Sequence, residues 1–133
     1  MKLFLDTNIF LDLILKRENF DKALLIFNAI EARLFSGVIL DITILNIDYI
    51  ANKQVKDIKG FLRVVNKYFE VVGVSNEMIE EALKIDHKDL EDTLQYLSAK
   101  NSKCEIVITN DKNFLVKDIE TISSSDFVQR YLK

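Results

Sequence analysis

Met1-Lys2-Leu3-Phe4-Leu5-Asp6-Thr7-Asn8 opens the chain, and its reading decides the fold. An apolar run ends on a carboxylate, a hydroxyl and an amide follow, and a helical pattern begins with Ile9, Phe10, Leu13 and Ile14. This predicts a buried strand over Lys2–Leu5 with Asp6 at its C-terminal edge, then a helix over residues 8–15. In open α/β sheets ligands sit beyond that edge. Asp6 also has a plainer reading as the N-cap of the helix, since Asp, Thr and Asn all cap well.

Outward from this stretch, apolar runs alternate with helical patterns. Helices are predicted over 19–34, from Asp41 toward Lys53, and over 57–68, 77–86, 89–101 and from Ser123 onward. Short strands are predicted at 38–40, 70–74, 105–109 and 121–122. Gly37 is read as a break before the second strand, Asp41 and Ser75 as caps, and 112–116 as one helical turn. Ser123-x-x-Asp126 resembles a capping box. Strands alternating with helices predict a parallel sheet of about four or five strands, covered on both faces. No repeat, linker or low-complexity tract divides the chain, so one domain over 1–133 is expected.

Composition narrows the function. The 133 residues are 49% hydrophobic and 29% charged, with a formal charge of −3. That acidity disfavours a protein that coats a phosphate backbone, but not an enzyme that meets nucleic acid locally with a cation's help. No apolar span is long enough for a bilayer, and Asp6 spoils a signal peptide, so a cytoplasmic location is expected. The single cysteine, Cys104, excludes an internal disulfide and a thiolate metal cluster. No Gly-rich phosphate loop is present. The only histidine, His87, lies between Asp86 and Lys88 and is read as a surface residue, with no nucleophile–His–acid set around it.

Two further stretches complement the first. Asp111 follows the apolar run Ile106-Val107-Ile108, where it too could simply be a cap. Asp92 lies within a helical pattern. Leu90, Leu94 and Leu97 form one stripe there, and Asp92, Tyr96 and Ala99 form a second, nearly opposite one. That second stripe is either surface or half-buried; if half-buried, its acid calls for a compensating cation. If the first and fourth strands are neighbours, Asp6 and Asp111 lie side by side. Two bare charges 4 Å apart then repel by about 4 kcal/mol at an effective dielectric of 20. A cluster of Asp6, Asp92 and Asp111 therefore implies Mg²⁺ or Mn²⁺, hard ions that prefer oxygen. Such an ion can activate water and neutralise charge on a phosphodiester.

Leu5-Asp6-Thr7-Asn8, the Glu91-Asp92-x-Leu-Gln block and Ile-x-Ile-Thr109-Asn110-Asp111-x-Asn113-Phe114 together resemble the PIN domain family. The likeness is greatest to single-domain members that include the toxin ribonucleases of VapBC-type pairs. The resemblance implies a three-layer, Rossmann-like α/β/α fold and a Mg²⁺- or Mn²⁺-dependent endoribonuclease. It implies Asp6, Asp92 and Asp111 as the metal-binding acids, with Thr7, Asn8 and Thr109 positioning the site. It also implies an RNA substrate and an antitoxin partner. The apolar excess of the first four helices adds the expectation of a homodimer or of a partner helix in a groove.

Several residues depart from the family pattern. Asn46 aligns with a usual glutamate of the third helix; an amide can hold a metal or a water but cannot act as a base. Asp48 lies about 200° further round that helix. Asn110 stands where arginine is common, and Asn113 where aspartate is common. Glu91 is a candidate substitute acid, but its helical position is about 100° from that of Asp92. Two alternatives therefore stand beside the nuclease. One is a catalytically weak PIN-fold module that binds RNA or protein. The other is an aspartyl-phosphate phosphatase or receiver, disfavoured by Asn8 two residues after Asp6 and by the lack of an acid ending the third strand.

Overall fold

The computed structural model describes residues 1–115 and 117–133. The order is β1 (Lys2–Leu5), α1 (Thr7–Ile14), α2 (Phe20–Glu31), β2 (Ser36–Leu40), α3 (Asp41–Ala51), α4 (Ile58–Tyr68), β3 (Phe69–Val72), α5 (Asn76–Leu83), α6 (Leu90–Asn101), β4 (Ile106–Ile108), β5 (Glu120–Ile122) and α7 (Ser124–Tyr131). The sheet has five strands in the order β3-β2-β1-β4-β5, and every pairing is parallel. β1 is therefore central, flanked by β2 and β4.

Strand alternation builds the layers. Leu3 and Leu5 of β1, Ile39 of β2 and Ile106 and Ile108 of β4 enter one core with residues of α1, α2, α3, α4 and α7. Phe4, Val38, Leu40 and Val107 point the other way, onto α5 and α6. Side chains alternate across a strand, so a run apolar at every position must be covered twice. The result is a three-layer α/β/α arrangement. Cys104 is buried in the second core, and burial pushes its thiol up to about 12.

Several local expectations change. Gly37 does not break the chain; it lies within β2, beside Phe69 of β3. A Cβ there would stand 2.6 Å from the Phe69 ring, so glycine makes room for an aromatic. The turn before β2 is made by Arg33 instead, in the left-handed region at φ 66. Leu34 N–H donates to Ala29 O and Arg33 N–H to Ile30 O, the paired bonds of a Schellman ending. Lys16 and Lys103 (φ 51 and 59) close α1 and α6 with the same pair of bonds. Three basic residues thus occupy positions usual for glycine, and their cations complement the negative helix ends.

Asp41 is not a cap. It is the first residue of α3, and its Oδ2 accepts from Val74 N–H, tying α3 to the end of β3. Ser75 and Ser123 do cap, accepting from Met78 and Asp126 N–H. Residues 112–113 form a turn rather than a helical turn, and Val116 of the expected segment lies outside the described residues. No helix among the described residues is long and apolar enough to cross a membrane.

Candidate active site

Asp6 follows β1 directly, and its N–H donates to Ile108 O at 3.1 Å. This bond continues the β1–β4 ladder by one step, which sets Asp6 beside Thr109 at the C-terminal edge of the sheet. The Asp6 carboxylate makes no capping bond to α1. Its Oδ2 accepts from Thr109 Oγ1 at 2.8 Å and its Oδ1 from Gln95 Nε2 at 3.3 Å. The residue is 3% exposed. Burial raises its pKa, the Thr109 and Gln95 bonds pull it back, and the charge of Asp111 pushes it up again.

Thr109 joins two acids, because its Oγ1 also accepts from Asp111 N–H at 3.1 Å. Asp111 is exposed, and its Oδ1 accepts from Asn113 N–H at 2.8 Å. Asn113 therefore steadies Asp111 through its backbone, while its own side chain faces solvent. Asn110 turns the other way, donating to Ser124 Oγ and, at 3.4 Å, to Asp12 Oδ2.

Asp92 reaches the same edge from the first turn of α6. The run Asp92–Ala99 is buried throughout, so the second stripe of that helix is not surface. Asp89 caps the helix by accepting from Asp92 N–H. The Asp92 carboxyl is pushed up to about 7, first by burial and then by the charges of Asp89, Asp6, Asp111 and Glu91. Tyr96, on the same stripe, is turned from the acids and donates to Asp118.

Glu91 also faces the site, contrary to the angular expectation. Its Oε2 accepts from Asn46 Nδ2 at 3.0 Å and from Thr7 Oγ1 at 3.2 Å. The tip of α6, rather than one of its sides, points at the pocket, so successive residues flank it. Thr7 Oγ1 also bonds Thr43 Oγ1, buried on α3. Glu91 is raised by burial foremost, against the lowering bonds from Thr7 and Asn46. Asn8 is exposed at the start of α1. His87 corrects a further expectation. It is not a surface residue, since its imidazole lies against Asp92 with Nε2 at 3.8 Å from Oδ2.

Sequence reasoning missed Gln95, Thr43 and Asp89. Gln95 stands three residues after Asp92, a spacing that shares a helix face and could have flagged it. Beside the acids a recess of about 230 Å³ is lined by Thr109, Asp111, Lys112, Thr121 and Ser123. A larger recess of about 370 Å³ lies at the opposite edge of the sheet, around Lys2, Arg33 and Lys67, away from every acid above.

A family model described as PIN domain matches residues 2–113. This chain belongs to the PIN domain family. Across 98% of its length it is 29% identical to Ribonuclease VapC1 of Aquifex aeolicus, covering 95% of that protein. Among solved structures, the PIN chain is similar to a toxin–antitoxin complex from Klebsiella pneumoniae (TM-score 0.68, 22% identity, covering 93% of this chain and 98% of that one). It is also similar to VapBC2 from Rickettsia felis bound to a promoter DNA fragment (TM-score 0.65, 19% identity, covering 92% and 98%).

The donors suit a hard divalent ion in kind. All three aspartates offer oxygen, and each of Asp6 and Asp92 is made less acidic by the charges of its neighbours. Two buried polar atoms at the site, His87 Nε2 and Gln95 Oε1, have no hydrogen-bond partner. Among the described residues, no three His, Cys, Asp or Glu side chains are already gathered around one point. Repulsion between bare carboxylates accounts for that spread, with Asp6 held back by Thr109 and Gln95 and Asp111 by Asn113.

A pH prediction follows for the metal-free protein. The Asp92 carboxyl titrates near 7 when folded against 3.8 for the free group, so between these values the folded chain holds a proton the unfolded chain has released. Asp92 thus contributes stability that is full below the lower value and lost as pH rises through about 7. His87, Asp89, Glu91, Asp6 and Asp111 face it. Urea denaturation from pH 5 to 8 in EDTA is expected to show stability falling with pH, and a flatter profile for Asp92→Asn. Equal slopes in the two proteins would show that Asp92 carries no such proton.

Proposed function

We propose that this protein is a Mg²⁺- or Mn²⁺-dependent endoribonuclease, the toxin of a toxin–antitoxin pair. The observation that supports this most is the meeting of Asp6, Asp92 and Asp111, from three separate segments, at the C-terminal edge of one sheet. The 29% identity to a named ribonuclease over nearly the full chain supports it from the side of the relatives.

In this reading Asp6, Asp92 and Asp111 hold the ion. Once bound, the ion supplies Lewis-acid stabilisation of the charge that develops on the phosphodiester. The chain's own groups do the rest. Thr109 fixes the rotamer of Asp6 and the backbone of Asp111 together. Glu91 restores the acid that Asn46 lacks, delivered from α6 instead of α3. Thr7 and Asn46 aim its carboxylate, and Asn8 stands at the exposed rim where RNA would enter. Asn46 is then a positioning residue.

The second reading, a weak RNA- or protein-binding module, is favoured by Asn46 itself, whose amide is spent on Glu91. One assay separates the two. Purified protein is given structured RNAs with Mn²⁺ or Mg²⁺, or with EDTA, beside Asp6→Asn. Metal-dependent cleavage lost in the variant supports the nuclease. Equal cleavage by both proteins removes it, and RNA binding without cleavage favours the module.

The partner reading rests on apolar surface. Leu45 and Tyr49, at i and i+4 on α3, are 69% and 84% exposed. Leu24, Leu25 and Leu34 add to the apolar surface at and after α2. Such a surface fits an antitoxin helix, a second copy of the chain, or both. Monodisperse monomer by light scattering, with no binding to the product of an adjacent gene, would count against it.

A further inference from the structure

His87 occupies the link between α5 and α6, where its N–H donates to Ile85 O at 3.1 Å. Its side chain is only 14% exposed, and Nε2 is buried without a hydrogen-bond partner. That atom stands 3.8 Å from Asp92 Oδ2. The gap is too long for a hydrogen bond, whose N···O distance is about 2.7–3.2 Å. It does suit two donors on a single ion. With ligand distances of about 2.1 Å, adjacent donors of an octahedral ion lie about 3.0 Å apart and opposite ones about 4.2 Å. Asp92 is meanwhile crowded by the charges of Asp89, Asp6, Asp111 and Glu91, so the space beside it favours positive charge.

We propose that His87 Nε2 is a ligand of the ion held by Asp92, which gives the centre a mixed nitrogen–oxygen donor set. The proposal rests on the metal reading above and sharpens it. Imidazole suits transition metals, whereas Mg²⁺ takes oxygen ligands and keeps its waters. The centre therefore selects Mn²⁺ over Mg²⁺, and His87 is the residue that sets the preference.

The chain has one histidine, so its nitrogen can be recognised by spectroscopy without mutation. Tag-free protein is stripped with EDTA, loaded with Mn²⁺ and studied by pulsed EPR, with Mn²⁺ and Mg²⁺ affinities measured by calorimetry. The expected result is a nitrogen coupling of directly bound imidazole in the wild type, absent in His87→Gln. Mn²⁺ affinity should fall about tenfold or more in that variant, with Mg²⁺ affinity changed far less. If the variant fails to fold, the wild-type spectrum still decides. Mn²⁺ bound in a manner sensitive to Asp6→Asn but without nitrogen coupling would overturn the proposal and leave the metal reading standing. No Mn²⁺ binding by the wild type would overturn both.

Discussion

Asp6→Asn is expected to lower metal-dependent RNA cleavage by roughly a thousandfold or more. The substitution keeps shape and removes one charge from the site. A metal's stabilisation of a phosphodiester transition state is worth several kcal/mol, and about 1.4 kcal/mol is a factor of ten. The fold should survive, because Asp6 is buried, its charged form is disfavoured there, and an amide oxygen can still accept from Thr109. The metal-free variant should be at least as stable as the wild type. Gel-resolved cleavage at saturating Mn²⁺, with a urea titration as control, checks both parts. Activity within tenfold of the wild type would mean that Asp6 holds nothing the reaction needs.

The second large effect concerns stability. Phe10 projects from α1 into the first core and is 1% exposed. Its ring meets Phe69 edge-on at 5.1 Å and Phe27 at 6.5 Å. Phe10→Ala is expected to destabilise by about 3–5 kcal/mol through lost burial and the cavity left behind. At this chain length that corresponds to a fall in Tm of roughly 10–20 °C. The effect should also reach the site, since α1 begins at Thr7, beside Glu91 and Thr43. Equilibrium denaturation measures it. A loss under about 1 kcal/mol would mean that the aromatic cluster does not hold α1 to the sheet.

Much of this was legible in the sequence, for reasons that can be named. Lys2–Leu5 is apolar at nearly every position because β1 is covered on both faces, and that same burial makes an acid at its end conspicuous. Ile106–Ile108 has the same property, so the adjacency of Asp6 and Thr109 followed from ordinary sheet topology. Local rules failed where the tertiary fold decided. Helical angle alone turned Glu91 away from the site, but the tip of α6 points into it. His87 belongs to a link with no period, so nothing in its neighbours announced a buried imidazole. The helix endings at Lys16, Arg33 and Lys103 carry no glycine, and the glycine at 37 answers to a phenyl ring on another strand.

The central claim is that Asp6, Asp92 and Asp111 draw together around a shared cation. A crystal structure of Mn²⁺-loaded protein, with anomalous differences recorded near the manganese edge, tests it directly. The account predicts a peak at the C-terminal edge of β1 and β4, about 2.1–2.3 Å from an oxygen of each of the three aspartates. A peak that any one of them cannot reach, or no peak at saturating Mn²⁺, would contradict it.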